Sequence, residues 1–363
     1  MRRNVYSKQA LFVDRLKPLL LSAVLLLSTL AFSGCANSQE PVQRMFYAMD
    51  TAMQLTAYGK QAEPAINAAV QRVNEIEALS SAYISGSDVA KINAAAGKAA
   101  VVVSPEVLKM IRTAVQYGQK MEGAFDITVG PLISLWGIGT DHQKIPSPEE
   151  IQKALTLVGL DDIQINESES SVLLTKPGMS IDLGGIAKGF AADEILRIFR
   201  EYGIDSALIN LGSSSIYALG TKPNGDPWTV AIRHPRKDGE YLCVVQLTDQ
   251  ALATSGDYER YFIKDGKRYH HIFDPATGYP AEAGVMSATV AIDGKTENCC
   301  MLADLLTKAA FVSGTDRGFA VVDGFEGCSC MAAGSDNRLY CSQNWTMTLS
   351  SVSPDFTLNK TNS

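Results

Sequence analysis

The chain has 363 residues, of which 46% are hydrophobic and 20% charged, enough apolar side chains for the core of one or two domains. Its formal net charge is -7, and the first 34 residues hold five basic side chains and one acidic side chain, so the remainder carries about -11. An acidic body of this kind argues against a nucleic-acid partner.

The N-terminus has the pattern of a bacterial lipoprotein signal peptide, predicted over residues 1–34. A basic segment precedes a mostly apolar run that ends at Phe32 and is short for a membrane span. Small residues then precede Cys35, which predicts lipidation of this cysteine and an extracytoplasmic protein anchored to the cell membrane. A plain signal peptide or an uncleaved anchor is the alternative. Residues 35–44 are predicted to be a tether.

Hydrophobic periodicity predicts an α+β fold over residues 45–345, followed by a polar, frayed tail at 346–363. N-cap signals and helical spacing predict helices at 64–79, 104–119, from Ser147 onward, 186–202 and 297–312. Alternating runs predict strands at 45–58, 163–165, 171–175, 207–211, 228–233, 241–247, 258–263 and 287–292. Because no regular βαβ rhythm occurs, antiparallel-rich sheets are expected in one mixed domain.

The segment 182–193 is the first candidate for a binding site. It follows a predicted strand and a Pro-Gly turn and leads into a helix, where glycine N–H groups can approach a phosphate closely. Lys188 adds a cation, and Asp182 suits a sugar hydroxyl, an amine or a metal-bound water. The spacing matches neither common nucleotide-binding motif. For this turn alone, an ordinary tight connection explains the sequence as well as phosphate binding does.

Four further glycine-bearing segments end predicted elements, at positions where functional sites are common. They lie at 123–137, 210–215, 253–258 and 270–280. Together with 182–193, in this order and spacing, they resemble the ApbE family of FAD:protein FMN transferases. The family patterns run approximately G-A-F-D-x-T-V-G-P, D-L-G-x-I-A-K-G-x-A-x-D, N-L-G-G, T-S-G-x-Y and H-x-I-D-P-x-T-G. The resemblance extends from about Met49 to Val312.

This resemblance implies a T-fold-like catalytic domain that transfers FMN from FAD to a Thr or Ser hydroxyl of an acceptor protein. The implied reaction releases AMP and requires Mg²⁺, with FAD as substrate. The residue types suit it, because breaking a diphosphate needs fixed positive groups and a base for the attacking hydroxyl. A flavin-binding lipoprotein without transfer activity, or an FAD pyrophosphatase without a protein acceptor, is the alternative.

His271 matches the family's histidine and is the candidate general base or orienting group for the nucleophile. Pairing of His271 with Asp274, to hold the turn that follows, is the alternative interpretation. His270 is the less favoured of the two histidines, because adjacent strand residues face opposite sides.

The resemblance also implies a set of FAD contacts. They are Met49, Tyr83, Ala124, Phe125, Asp126, Asp182, Lys188, Thr254 and Ile272. Met49 and Tyr83 match ring-contacting positions, and residues 124–126 would hold the adenosine part. Core packing is the alternative for Met49, Tyr83 and Phe125, and a hairpin turn is the alternative for Thr254.

For the metal, the resemblance implies ligands from the Gly185 carbonyl, Asp304 and Thr307. The sequence departs from the family at Lys308, where a neutral threonine is usual, and a cation there is expected to pair with Asp304 and compete with Mg²⁺. Because Mg²⁺ accepts water ligands, an incomplete protein shell need not abolish binding. A surface Asp–Lys pair on one helix face is the alternative. A smaller departure is Asp50, where many relatives carry glycine.

Overall fold

The computed structural model describes residues 40–359, so the predicted signal peptide and Cys35 lie outside the described residues. The strands are β1 (Val42–Ala48), β2 (Thr51–Ala57), β3 (Val101–Val102), β4 (Ile163–Asn166), β5 (Ser171–Leu174), β6 (Ala207–Leu211), β7 (Ser215–Leu219), β8 (Trp228–Arg233), β9 (Tyr241–Leu247), β10 (Gln250–Gly256), β11 (Tyr261–Lys264), β12 (Lys267–His270), β13 (Val285–Asp293), β14 (Cys328–Gly334), β15 (Arg338–Cys341) and β16 (Thr357–Asn359). The α-helices are α1 (Ala62–Ser80), α2 (Asp88–Ala94), α3 (Pro105–Lys120), α4 (Gly130–Trp136), α5 (Pro148–Leu155), α6 (Ala187–Glu201), α7 (Cys299–Val312) and α8 (Phe319–Asp323).

A nine-stranded sheet organises these elements in the order β1-β2-β6-β7-β10-β13-β14-β15-β16. Its pairs are antiparallel except for β15 with β16. Three smaller sheets accompany it among the described residues, β3-β5-β4 and the hairpins β8-β9 and β11-β12. The predicted α+β class with antiparallel-rich sheets is therefore confirmed. Within residues 40–359, no helix combines the length and apolar character needed to cross a bilayer.

Capping signals set the starts of the helices that were predicted from them. The Ser104 hydroxyl accepts a hydrogen bond from Val107 N at the start of α3. Ser147 forms a capping box with Glu150 at the start of α5, and each helix has proline in its first turn. Both predicted helix starts are confirmed. They are predictable because each capping signal involves residues no more than four positions apart in the sequence.

The single strand predicted over 45–58 is wrong, since two strands occur there. β1 and β2 are joined by Met49 and Asp50, which both adopt left-handed backbone conformations with φ of 48° and 58°. Such a two-residue turn usually contains glycine or asparagine, so its sequence signal is weak here. It also explains why glycine would be easy to accommodate in place of Asp50. β1 begins at Val42, within the predicted tether.

The frayed tail predicted over 346–363 is not what the structure shows up to Asn359. Ser350 pairs with Val244, and β16 runs parallel to β15. Phe356 is buried against the second hydrophobic core described below. The segment was predicted to be frayed because most of its residues are polar, but its few apolar residues pack against the core.

Each face of the large sheet has its own core, because neighbouring residues of β10 face opposite sides. Ala251 and Ala253 pack in the main core with α1, α6 and α7. Leu252 packs instead with the β8–β9 hairpin. The faces are thus distinguished by odd and even positions along β10, which decides which side chains of this strand can reach α7.

Helices α6 and α7 approach each other closely at Gly189. A Cβ atom there would lie 2.4 Å from Cys300 O and 2.6 Å from Met301 Cα, so only glycine fits. Asp193 then caps α7, accepting hydrogen bonds from the N–H groups of Cys300 and Met301 at 3.0 and 2.9 Å. Burial raises the pKa of Asp193 to about 6. This clamp holds α6 against the start of α7 and so fixes the two helices on which the candidate site is built.

Candidate active site

Lys308 of α7 lies at the centre of the predicted metal site. Its Nζ donates hydrogen bonds to Gly185 O at 3.0 Å, Asp304 O at 2.8 Å and Asp304 Oδ1 at 2.8 Å. The Lys308 and Asp304 side chains are only 15% and 4% exposed. The expected pairing of Lys308 with Asp304 is therefore observed, but the pair is buried and not a surface pair.

The second carboxylate oxygen of Asp304 is also engaged. Asp304 Oδ2 accepts a hydrogen bond from Gly189 N at 3.1 Å, which ties α7 to α6 a second time. Burial lowers the pKa of Lys308, the neighbouring Asp304 opposes that shift, and the positive charge of Lys188 adds to it. Both carboxylate oxygens of Asp304 thus accept hydrogen bonds from groups of the protein itself.

Thr307, the third predicted metal ligand, shares an acceptor with the Lys308 ammonium, because both bond the backbone carbonyl of Asp304. Its hydroxyl donates to Asp304 O at 2.6 Å and bonds Ser255 Oγ at 2.7 Å. Thr307 is fully buried between α7 and β10. The Thr307 hydroxyl therefore links α7 to β10 through hydrogen bonds to both elements.

Thr254 lies on the opposite face of β10 from Ser255. Its hydroxyl bonds Thr289 Oγ1 at 3.0 Å, and it borders a small cleft with Arg233 and Tyr258. The hairpin turn considered for this segment does not occur, because β10 continues through both residues. Of the hydroxyls in the segment 254–256, which could supply donors near the phosphates, strand parity brings Ser255 to α7 in place of Thr254. Residues 251–253 are all apolar, so no alternation in the sequence separates the two faces of the strand here.

The glycine turn before α6 and the first turn of α6 bring Asp182 and Lys188, respectively, to the mouth of the site. Asp182 Oδ1 accepts a hydrogen bond from Gly184 N at 2.7 Å, which fixes the glycine turn. Lys188 Nζ lies 3.4 Å from Gly184 O and is partly exposed. The structure thus places Lys188 where its charge acts on both Lys308 and His271.

His271 is held by the backbone of Arg260. The Arg260 carbonyl accepts hydrogen bonds from His271 N at 3.1 Å and lies 3.2 Å from Nδ1, so Nδ1 carries the proton of the neutral ring. Desolvation, and then the positive charges of Arg260, His270 and Lys188, lower the pKa of His271 well below its ordinary value. A neutral ring protonated on Nδ1 leaves Nε2 as the basic nitrogen.

The alternative pairing of His271 with Asp274 is not what the structure shows. Asp274 instead closes its own turn, accepting hydrogen bonds from Ala276 N at 2.9 Å and Thr277 Oγ1 at 3.1 Å. His270 is buried, with Nε2 3.1 Å from Ala281 O, and its ring packs edge-on against Phe311. The two histidines therefore face different environments, as strand alternation predicts.

Tyr83 and Arg260 form the exposed side of the site. Desolvation and then the Asp182 carboxylate raise the pKa of the Tyr83 hydroxyl, although 71% of this residue is exposed, and Arg260 acts in the opposite direction. Tyr83, Asp182, Arg260 and His271 are therefore electrostatic neighbours. Arg260 was missed by the sequence analysis, since no motif position marks it.

Met49, the other predicted ring contact, is partly buried against the main core in the β1–β2 turn. Its backbone N–H donates to Glu77 Oε1 at 2.9 Å, which anchors the turn to α1. The contacts of Met49 thus fix the β1–β2 turn to α1 and to the main core, as the core-packing alternative implied.

The remaining predicted FAD contacts lie in or beside the core. Ala124, Phe125 and Ile272 are less than 9% exposed, as the core-packing alternative for Phe125 implied. Phe125 lies beneath the glycine turn, where a Cβ on Gly185 would come within 3.0 Å of its ring. Asp126 caps the next turn by accepting from Thr128 N at 2.6 Å, and burial raises its pKa.

The site therefore unites a basic imidazole nitrogen with three cations around a glycine turn. Lys188 and Arg260 act on His271 from the open side, and Lys188 also acts on the buried Lys308. Fixed positive charges next to a neutral base suit the transfer of a phosphoryl-linked group to a hydroxyl.

A model of the ApbE family matches residues 49–332 of this chain. The FAD:protein FMN transferase of Treponema pallidum is 35% identical over 311 residues, which cover 80% of this chain and 84% of that protein. The FAD:protein FMN transferase of Vibrio cholerae is 32% identical over 310 residues, which cover 83% and 90%.

Solved structures share the fold. The ApbE protein of Thermotoga maritima has a TM-score of 0.76 and 31% identity, covering 84% of this chain and 97% of that chain. The flavin transferase ApbE of Vibrio cholerae has a TM-score of 0.72 and 27% identity, covering 86% and 98%.

Proposed function

The chain belongs to the ApbE family, and we propose that it transfers FMN from FAD to a Thr or Ser hydroxyl of an acceptor protein, releasing AMP. The observation that carries the proposal is the neutral His271, whose Nδ1 faces the Arg260 carbonyl and whose Nε2 stands as a base among cations. A base in this state at neutral pH suits the activation of a hydroxyl.

The reaction exchanges one phosphorus–oxygen bond for another. The acceptor oxygen forms a bond to the FMN phosphorus, the bond from that phosphorus to the oxygen bridging to AMP breaks, and AMP leaves with that oxygen. The hydroxyl proton passes to Nε2 of His271. Lys188 and Arg260 supply positive charge for the diphosphate, and the Asp182 turn positions the glycine backbone.

The expected Mg²⁺ requirement fits the residues of this chain poorly. Carboxylate and carbonyl oxygens are ligand types that Mg²⁺ prefers. Here, however, Gly185 O and Asp304 Oδ1 both accept hydrogen bonds from Lys308 Nζ, and Asp304 Oδ2 accepts from Gly189 N. No step of the reaction is therefore assigned to a metal ion.

The proposal is tested by incubating the purified full chain with FAD and envelope proteins of a flavinylating bacterium. Covalent, fluorescent flavin on an acceptor, located on a Thr or Ser by peptide mass spectrometry, is the expected result. Absence of covalent flavin on every acceptor, despite bound FAD, contradicts the proposal.

Two narrower functions are separated by the same assay. FAD hydrolysis places water where the hydroxyl would attack, so release of AMP and FMN without acceptor identifies a pyrophosphatase. A flavin-binding role without chemistry is favoured by one observation, the ammonium among the predicted metal ligands. Tight FAD binding with no AMP release at any magnesium concentration identifies it.

Export and lipid anchoring through Cys35 are a further part of the proposal. They rest on the basic and apolar N-terminal pattern and the small residues before this cysteine. Mass spectrometry of the N-terminal peptide is expected to find an acylated Cys35. The Cys35→Ala variant is expected to be absent from the membrane fraction. An unmodified Cys35 in membrane-bound protein contradicts the anchor.

A further inference from the structure

Lys308 satisfies its charge entirely with protein oxygens. An ammonium group has three N–H donors, and the three acceptors within 3.0 Å of Nζ are Gly185 O, Asp304 O and Asp304 Oδ1. They come from two different elements, the glycine turn before α6 and the middle of α7. The ammonium therefore bridges the turn to the helix as a bound cation would.

A divalent ion and this ammonium compete for one position. Mg²⁺ binds its oxygen ligands at about 2.0–2.1 Å in an octahedral shell. An ion on Gly185 O and Asp304 Oδ1 would lie against Nζ, which is 3.0 and 2.8 Å from the same two atoms. Two cations in contact repel strongly in a buried site. The metal can enter only if the Lys308 side chain leaves.

The surrounding contacts hold the side chain in place. Asp304 Oδ2 is committed to Gly189 N, so rotation of the carboxylate toward a metal breaks a buried hydrogen bond. The Thr307 hydroxyl is committed to Ser255 and to Asp304 O, which also accepts a hydrogen bond from Lys308 Nζ. Displacement of Lys308 would also break a nearly inaccessible ion pair and leave the buried Asp304 carboxylate without its cation.

We propose that Lys308 is a built-in cation that replaces the divalent metal of this site, so that the diphosphate of FAD binds without Mg²⁺. The part about FAD rests on the proposed function. All three ammonium protons are used within the protein, so Lys308 acts by neutralising Asp304 and not by donating to phosphate. Lys188, whose charge acts on Lys308 across the turn, is left to face the substrate.

The first experiment measures Mn²⁺ binding to the purified full chain without FAD by electron paramagnetic resonance. The wild type is expected to have no Mn²⁺ site that depends on Asp304. Lys308→Thr, which frees the oxygens and adds a hydroxyl, is expected to gain one site, and the double variant Lys308→Thr/Asp304→Asn is expected to lose it. Lys188→Thr removes the same charge from the same region but frees no Asp304 oxygen, so it is expected to gain none.

Two results would overturn the proposal. One is a wild-type Mn²⁺ site that disappears in Asp304→Asn, and the other is a folded Lys308→Thr variant that binds no Mn²⁺. The thermal midpoint of Lys308→Thr with and without Mn²⁺ provides a second readout. Metal is expected to raise the midpoint of this variant and to leave that of the wild type unchanged.

The second experiment measures the FAD affinity of the wild type and of Lys308→Thr from the quenching of flavin fluorescence. The wild-type Kd is expected to agree within about two-fold between EDTA and excess Mg²⁺, whereas Lys308→Thr is expected to bind about ten-fold more tightly with Mg²⁺ than with EDTA. A ten-fold or greater tightening of the wild type by Mg²⁺ would overturn the proposal. Absence of any FAD binding contradicts the proposed function instead, and the Mn²⁺ measurement still decides the role of Lys308.

Discussion

The two ends of the candidate site differ in how far the protein itself satisfies their charges. At the closed end, Lys308 and Asp304 are buried and exchange hydrogen bonds with each other and with α6. At the open end, Tyr83 and Arg260 are exposed, and Lys188 Nζ makes a long contact of 3.4 Å to Gly184 O.

This difference indicates which groups are set before FAD arrives. Buried charges must be paired within the protein, because an unpaired charge in the interior is expensive. Exposed cations are solvated and remain available to phosphate. In the proposed function, the closed end is a structural device and the open end, which acts on His271 through Arg260 and Lys188, recognises FAD.

The largest expected effect is on chemistry at His271. His271→Ala is expected to lower the rate constant of AMP release by about 10²–10⁴-fold, because the transferred proton loses its acceptor. FAD affinity and thermal midpoint should change little. The matched control is His270→Ala, which removes a buried ring and should lower the free energy of unfolding by about 1–3 kcal/mol. Equal losses of rate and FAD affinity in His271→Ala would instead indicate a binding role.

Breaking the closed end should appear mainly in stability. Asp304→Ala leaves a buried ammonium without its carboxylate and is expected to lower the free energy of unfolding by about 3–5 kcal/mol in urea denaturation. Asp182→Ala, at the open end, removes one hydrogen bond to Gly184 N and should cost about 1 kcal/mol. If both variants are equally stable, the closed end is not the structural device inferred above.

At the open end, removal of a cation should appear in binding. Arg260→Ala is expected to raise the Kd for FAD about ten-fold while leaving the free energy of unfolding nearly unchanged, because its side chain is exposed. The effect should shrink as salt is added. Lys264→Ala removes an exposed cation a few residues along the chain and serves as the control. An equal effect of both variants would point to the general field of the protein.

A smaller effect tests which face of β10 belongs to the site. Ser255→Ala and Thr254→Ala each remove one hydroxyl–hydroxyl hydrogen bond, to Thr307 and to Thr289, and each should lower the free energy of unfolding by about 1 kcal/mol. FAD titration is expected to separate them, with weakened affinity in Ser255→Ala alone. Weakened affinity in Thr254→Ala would return that residue to the site.

The smallest change is expected in the pH profile near neutrality. Because the pKa of His271 is held well below its ordinary value of 6.5, the ring is neutral throughout this range. Between about pH 8 and 6.5, kcat/KM should vary by less than about two-fold, and it should fall only at lower pH. Stability contributed by this neutral ring should likewise be lost as pH falls below 6.5, since the unfolded chain then binds the proton first. An acid limb centred above pH 6.5 would contradict this environment.

Much of the fold follows from local sequence signals. The caps at Ser104 and Ser147 act within one helical turn, and the helices begin where these signals predict. The motif order also predicted that the turn at 182–193 and the segment at 270–280 share one site, and their charges do interact. Short-range signals of this kind are visible in sequence because the partners are a few residues apart.

Tertiary structure decided what each side chain faces. The sequence predicted competition between Lys308 and a metal, but only the packing of α6 on α7 brings Gly185 O to the ammonium and closes the site. The choice of Ser255 over Thr254 depends on which face of β10 meets α7, and the burial of Phe125 and Ile272 depends on the assembled core. These outcomes join residues far apart in the chain, so their free energies arise only when helices and sheet pack together.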